Sequence, residues 1–302
     1  MDSIIIAGGS GLVGSRLVEK LTDSNCIVNV LTRSKKKSSH EGYIFWDPST
    51  QKMGEWPDHV NHVINLAGAG IADKRWTKER KKLLLSSRLD STNFLIQFLR
   101  ENNKQLDSYI AASAIGYYGD GGHSLLREEM QPVSIEFLSD VCVKWEEASS
   151  AAKNVANQMN ILRIGTVLST KGGALPKMGQ TIPLGVANYL GNGKQMISWI
   201  HIDDLCKMIL YLIQKNISGI YNAVAPDPID NKSFTIILKD IINPRAIVLP
   251  APSNGIKLAF GELSRLVLNS SNVSAEKIQN EGFVYDYPSL TQALKHLYQE
   301  GI

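Results

Sequence analysis

Four apolar residues in unbroken succession, Ile4-Ile5-Ile6-Ala7, run into Gly8-Gly9-Ser10-Gly11, after which Leu12, Leu17, Val18 and Leu21 recur on one helical face. A continuous apolar run fits a strand covered on both faces, and recurrence at three- and four-residue steps fits an amphipathic helix. The alternation continues. Strands are predicted over 26–32 and 43–46, and another over 62–66 that ends in the small residues Ala67-Gly68-Ala69-Gly70. A long helix is predicted over 77–101 with Thr77 as its N-cap, then a strand over 109–113. Phe137, Val141, Trp145, Ala148 and Ala152 define the buried face of a further helix. Strands over 159–165 and 219–222 flank a helix over 202–215. Strand and helix in turn predict an α/β fold built on a doubly wound parallel sheet. From about Pro250 the alternation weakens. The chain therefore divides into a main domain over 1–245, with substrate-region segments interleaved at about 168–200, and a small, mostly helical segment over 246–302.

The glycine run carries the first chemistry. Gly8 permits a tight strand-to-helix turn, Gly11 lets a pyrophosphate approach the backbone, and Gly14 lets helix and strand pack closely. Leu12 and Val13 open the helix, whose positive end and free amides face the phosphates. The sheet is therefore Rossmann-like. An acidic residue about 20 positions on would bind the ribose hydroxyl of NAD, and an arginine the extra phosphate of NADP. Here the second strand ends in Thr32-Arg33-Ser34-Lys35-Lys36-Lys37, without a carboxylate, so NADP(H) is favoured, with Thr32 and Arg33 at the adenosine ribose. Leu66, Ala67 and Gly68 are expected to underlie the adenine and linking phosphates.

Composition narrows the class. The chain has 302 residues, 43% hydrophobic and 20% charged, with a formal net charge of +3. That is a globular balance without a basic, aromatic-interleaved block, so no nucleic-acid partner is expected. The basic residues from Lys74 to Lys82 read as a solvated helix start with at most one functional member. Cys26, Cys142 and Cys206 are scattered, which argues against a disulfide framework and against a metal site. No apolar run could span a bilayer and the first strand begins close to Met1, so no membrane partner and a cytoplasmic location are expected.

Asn65-Leu66-Ala67-Gly68, Ser113-Ala114-Ile115-Gly116-Tyr117-Tyr118-Gly119 and Trp199-Ile200-His201-Ile202-Asp203-Asp204 resemble, together with the glycine turn, the landmarks of extended short-chain dehydrogenase/reductases. Arg75-Trp76-Thr77, Ser87-Arg88, Lys144-Trp145-Glu146, Arg163-Ile164-Gly165-Thr166-Val167-Leu168 and Pro176-Lys177-Met178 resemble an atypical branch of that superfamily, the epimerase-family or cell-division-inhibitor-like proteins. The resemblance implies that Arg88 approaches the cofactor and that Thr166 and Val167 lie by the nicotinamide. It implies substrate contacts from Tyr118, Lys177, Trp199 and His201, with residues 172–178 as a mobile lid. Pairing of the two long helices would give a homodimer.

One part is missing. Members of the superfamily carry Tyr-x-x-x-Lys on the helix after the serine-bearing strand, the tyrosine transferring a proton and the lysine lowering its pKa. Between Gly119 and Asn188 there is no tyrosine. Matching Glu146 to the superfamily's carboxylate puts Leu138 and Cys142 in the pair's positions. Matching Tyr118-Gly119 puts Ala114 at the serine position and Ser113 one residue off, on the opposite strand face. Ser113 and Tyr117 are the residues left for proton handling, with the alternative that the Tyr117 ring packs against the nicotinamide or substrate. Two functions follow: an NADP(H)-dependent oxidoreductase or epimerase acting on a small molecule, or an NADP(H)-binding regulatory protein without turnover.

Overall fold

A computed structural model describes residues 2–22 and 26–299. In chain order the first half comprises β1 (Ser3–Ala7), α1 (Leu12–Thr22), β2 (Ile27–Thr32), β3 (Tyr43–Asp47), β4 (Lys52–Met53), β5 (His62–Asn65), α2 (Lys78–Glu101), β6 (Leu106–Ala114), α3 (Phe137–Ser150) and β7 (Ala156–Ile164). Then follow β8 (Thr166–Leu168), α4 (Leu175–Gly179), β9 (Val186–Leu190), β10 (Met196–Ile197), β11 (Trp199–His201), α5 (Ile202–Lys215), β12 (Gly219–Ala223), β13 (Ile229–Asp230) and α6 (Asn231–Ile242). The chain closes with β14 (Ile247–Ala251), α7 (Ser253–Phe260), α8 (Arg265–Leu268), α9 (Glu276–Asn280) and α10 (Leu290–Gln299). Thr77 caps α2 as expected, its side chain accepting from the Arg80 amide at 3.2 Å.

The main sheet runs β12-β7-β6-β5-β1-β2-β3-β4, parallel except for β4. From β1 the chain winds outward through β2 and β3, then returns to β5 and winds the other way. The reversal lies between β1 and β5, where such sheets open a crevice at their carboxyl ends. Period-two alternation sorts the strand residues between two cores. Ile4 and Ile6 pack with Leu17, Ile200 and Ile209 on the α1/α5 face, while Ile5 packs with Leu95, Leu99 and Tyr109 on the α2/α3 face.

A third core corrects the expected domain division. Leu168, Leu175, Trp199, Phe234, Leu238, Leu290 and Leu294 pack together, drawing on both sides of residue 245. Strand β14 from the tail pairs with β9 from the interleaved segment, Ile247 opposite Val186. The tail is therefore no separate appendage, and α6 belongs to the second lobe. Residues 300–302 of that segment lie outside the described residues. Among the described residues no helix is long and apolar enough to cross a membrane.

Candidate functional site: a dinucleotide crevice without the usual proton donor

The turn after β1 is built as its chemistry requires. Gly8 has φ +83° and sits so close to β5 that an added Cβ would lie 2.7 Å from the Leu66 carbonyl carbon. At Gly14 a Cβ would lie 2.3 Å from the Gly8 oxygen, so only glycine lets α1 start against its own turn. The Gly11 amide donates to the Gly8 oxygen at 3.0 Å and closes the loop, which leaves the first-turn amides of α1, Leu12 and Val13 among them, turned to the crevice. Beside Gly11 a cavity of about 270 Å³ opens, lined also by Ser10, Leu12, Lys171 and Gly172.

Thr32 and Arg33 lie next door at the carboxyl end of β2. Arg33 is exposed and joins no ion pair among the described residues. Across the crevice Leu66, Ala67 and Gly68 follow β5. Arg88 reaches in from α2, donating to the Ala69 and Leu84 carbonyls at 3.2 and 2.9 Å, with its guanidinium 5.0 Å from the Trp145 ring. A Cβ on Gly68 would come within 3.1 Å of that guanidinium carbon, so Gly68 admits the arginine to the site. Burial lowers the Arg88 pKa, and no carboxylate lies within ion-pair distance of it among the described residues. Among the described residues this mostly buried cation is held by carbonyls and a ring, partners that leave its charge unpaired.

Thr166 and Val167 stand on β8 just past the end of β7, the Thr166 amide bonded to the Ser198 carbonyl. The neighbouring lid expectation needs correction: residues 175–179 form the short helix α4, anchored by a fully buried Leu175, although Gly173 with φ +79° still rests against Leu12. Lys177 on α4 is exposed and donates to the Ala72 carbonyl at 3.5 Å.

The catalytic end differs most from expectation. A Cβ on Gly116 would lie 3.6 Å from the Leu138 Cβ and 3.9 Å from the Cys142 sulfur, so these two α3 residues face the end of β6 where a Tyr/Lys pair would work. Leucine holds no proton, and burial pushes the Cys142 thiol up to about 12. Ser113 is buried and donates to Glu146 at 2.6 Å, which commits its hydroxyl to the interior rather than to a substrate. The same carboxylate accepts two hydrogen bonds from Arg163, each 2.9 Å. Arg163 in turn donates to the Tyr118 hydroxyl at 3.0 Å, and Tyr118 donates to Asn222 at 2.7 Å. Parallel register explains the alignment: Ser113 is opposite Arg163 and Arg163 opposite Asn222, so one row across β6, β7 and β12 points at α3. Burial opposes the Arg163 charge, but its bonds to Glu146 outweigh it and raise its pKa. Burial pushes the Tyr118 phenol up to about 12 despite Arg163. Tyr118 is thus a network residue, not a substrate contact. Tyr117 stacks under Arg163, 3.5 Å from ring centroid to guanidinium carbon, with its hydroxyl 3.4 Å from Gln131 Oε1.

Glu146, Arg163 and Asn222 were not legible as a unit. The available signal was an arginine inside the apolar strand Asn160-Ile161-Leu162-Arg163-Ile164 and a glutamate beside Trp145 on a buried helix face. Trp199 and His201 are corrections too. Both are fully buried; the Trp199 indole donates to the Asp227 carbonyl at 2.9 Å. His201 caps α5, its Nδ1 accepting from the Asp203 amide at 3.0 Å, while Nε2 pairs with His296 at 3.1 Å. Burial lowers the His201 pKa to about 4, despite Asp203. The unfolded chain therefore binds a proton near pH 6.5 that the native state refuses until about pH 4, and stability falls as pH drops through that window. Urea titrations at pH 7 and 5 are expected to differ by about 2 kcal/mol from this group, and His201→Asn to flatten that difference. An unchanged slope in the variant excludes His201 as its source.

A glycine turn on a helix N-terminus at the switch point of a parallel sheet defines a dinucleotide-binding α/β protein. The chain belongs to the NAD dependent epimerase/dehydratase family, whose model matches residues 4–223. A domain of unknown function, DUF1731, matches residues 251–297. An epimerase family protein of Staphylococcus aureus (strain NCTC 8325 / PS 47) is 36% identical over 99% of this chain and 100% of its own. Among solved structures, human epimerase family protein SDR39U1 (isoform 2) with NADPH superposes with a TM-score of 0.90 at 26% identity, covering 98% of this chain and 99% of that one. A nucleoside-diphosphate sugar epimerase of Corynebacterium glutamicum gives a TM-score of 0.77 at 30% identity, covering 98% of this chain and 58% of that one.

Proposed function

We propose that the protein binds NADP(H) in the crevice between β1 and β5 and acts on a small molecule as an oxidoreductase without a Tyr/Lys pair. The observation that carries the reading is the pair of cations without carboxylates, Arg88 inside the crevice and Arg33 at its adenosine end, on either side of the glycine turn. In that arrangement the Leu12 and Val13 amides hold the pyrophosphate, Arg33 and Thr32 meet a ribose phosphate, and Arg88 meets a ribose hydroxyl or phosphate oxygen. The NADPH named with the human relative supports the same preference. When bound, the nicotinamide supplies hydride chemistry. Thr166 and Val167 orient its edge. The Tyr117 hydroxyl, whose only hydrogen bond among the described residues is a long one to Gln131, is the phenol left for proton transfer beside the β6 end.

A second reading has its own observation. With Leu138 and Cys142 at the pair's positions and Ser113 committed to Glu146, the site suits a nucleotide-responsive regulatory protein equally in its binding half. Titration with NADPH and NADP⁺ tests the shared part, and uptake is expected with Arg88→Met weakening it about tenfold through one lost charge-assisted contact. No uptake at millimolar ligand overturns both readings. Stereospecific hydride loss from labelled NADPH during a substrate screen, abolished in Tyr117→Phe, identifies the oxidoreductase; uptake without such loss across the screen favours the regulator.

A further inference from the structure

The domain of unknown function reaches the site through one short stretch. Residues 269–275, between α8 and α9, lie between the loop that follows Tyr118 and the strands β10 and β11. Extended backbone turns alternate residues to opposite sides, so one segment can bond two neighbours at once. The even-numbered members face the loop. The Ser270 carbonyl accepts from the Gly121 amide at 3.1 Å, the Asn272 carbonyl accepts from the Leu126 amide at 2.8 Å, and the Ser274 amide donates to the Leu126 carbonyl at 2.9 Å. The odd-numbered members face the strands. The Ser271 amide donates to the Met196 carbonyl at 2.9 Å, and the buried Ser198 hydroxyl donates to the Ser271 carbonyl at 2.7 Å and accepts from the Val273 amide at 2.9 Å. One side chain spans both neighbours: the Ser270 hydroxyl donates to the Gly122 carbonyl and accepts from the Met196 amide at 2.9 Å.

Each neighbour leads to one side of the cofactor reading. The loop continues directly from Tyr117 and Tyr118 at the end of β6. On the other side the Ser198 carbonyl accepts from the Thr166 amide at 2.9 Å, and a Cβ on Gly165 would lie 2.7 Å from that oxygen. A third tie runs through the interior. The Ser274 carbonyl accepts from the Asn222 side-chain amide at 3.1 Å, and Asn222 holds Tyr118, which holds the Arg163 that lies against the Tyr117 ring. Apolar contact fixes only that two surfaces meet, whereas bonds at alternate residues fix the register at which they meet.

We propose that the C-terminal domain serves the site through this strap, which sets the distance between the Tyr117 end of β6 and the Thr166–Val167 edge, with Ser198 and Ser270 as positioning residues. The proposal deepens the cofactor reading and rests on it, because that reading seats the nicotinamide between those two edges. Spacing matters there. A misplacement of about 1 Å between reacting groups is enough to slow a reaction about a hundredfold.

Two measurements on the full chain test it: amide deuterium exchange over residues 119–128, and the emission of bound NADPH, since reduced nicotinamide fluoresces according to its surroundings. Ser198→Ala and Ser270→Ala are each expected to speed exchange in that loop at least tenfold and to move the bound emission toward that of free NADPH. Affinity for NADPH is expected to stay within threefold, because the glycine turn, Arg33 and Arg88 are untouched. Asn272→Ala, on the partly exposed edge of the strap, removes only a side-chain bond to the His123 carbonyl, so it folds in any case and is expected to give both changes in smaller measure. Leu99→Ala, a cavity in the core on the other side of the sheet, controls for lost stability and is expected to give neither. Faster exchange with wild-type emission in the serine variants reduces the strap to a seam and overturns the proposal. So do unchanged loop exchange in the folded strap variants, the same changes in Leu99→Ala, or wild-type emission equal to that of free NADPH. Failure of the wild type to bind NADPH overturns the cofactor reading instead, and is seen before any variant is compared.

Discussion

Arg33→Asp is expected to lower affinity for NADPH about a hundredfold and affinity for NADH by no more than a few-fold. A charge-assisted contact to a phosphate contributes about 1.5–3 kcal/mol, and an aspartate in its place adds repulsion that only the phosphorylated nucleotide experiences. Arg33 is exposed and makes no ion pair among the described residues, so the substitution leaves the fold intact and the comparison is one of binding. Calorimetry with both nucleotides at fixed ionic strength measures it, since screening weakens exposed contacts. Equal weakening of the two ligands would remove Arg33 from the ribose phosphate.

The second large effect is on stability. Glu146→Gln leaves the buried Arg163 guanidinium without its counter-charge and is expected to destabilise the protein by about 3–5 kcal/mol, the range for breaking one side of a buried pair. For a chain of this size that is roughly 5–8 °C in melting temperature. Replacing both partners by apolar residues of similar volume, Glu146→Leu with Arg163→Met, is expected to recover much of the loss, because no charge then stays buried alone. Equilibrium urea unfolding of the wild type, of Glu146→Gln, of Glu146→Leu and Arg163→Met singly, and of the double variant measures the loss and the cycle. A double variant as unstable as the sum of its parts would mean that the pair's neighbours, Ser113 and Tyr118, and not the charges, carry the effect.

Long periodic segments were the readable part of the fold. The apolar face and Thr77 cap set α2, and the Ile202–Lys215 helix follows from its own spacing. The second lobe was hidden because its strands are two to five residues long and β14 meets β9 across some sixty residues, so no local pattern announces the pairing. At the site, glycine spacing and the residue types at the strand ends determine the crevice, since backbone geometry there depends on what each residue lacks. Side-chain direction is different. Ser113, Tyr118, Trp199 and His201 have the right chemistry for a substrate site, yet burial and partners from distant elements turn each of them inward. The absent Tyr/Lys pair was visible in the sequence, while the Glu146–Arg163 row beside it emerged only with the register of three neighbouring strands.

The shared core of the second lobe bears on biogenesis. Leu168 and Leu175 find their companions Leu290 and Leu294 only when α10 exists, more than a hundred residues later in translation. While the ribosome works, the nucleotide-binding half has its strands and the other half does not have its packing, so a nascent chain exposes that apolar surface until the last helix clears the exit tunnel. Chaperone demand should therefore persist until α10 has emerged, and deletions that remove α10 should yield aggregates rather than a trimmed, working nucleotide binder.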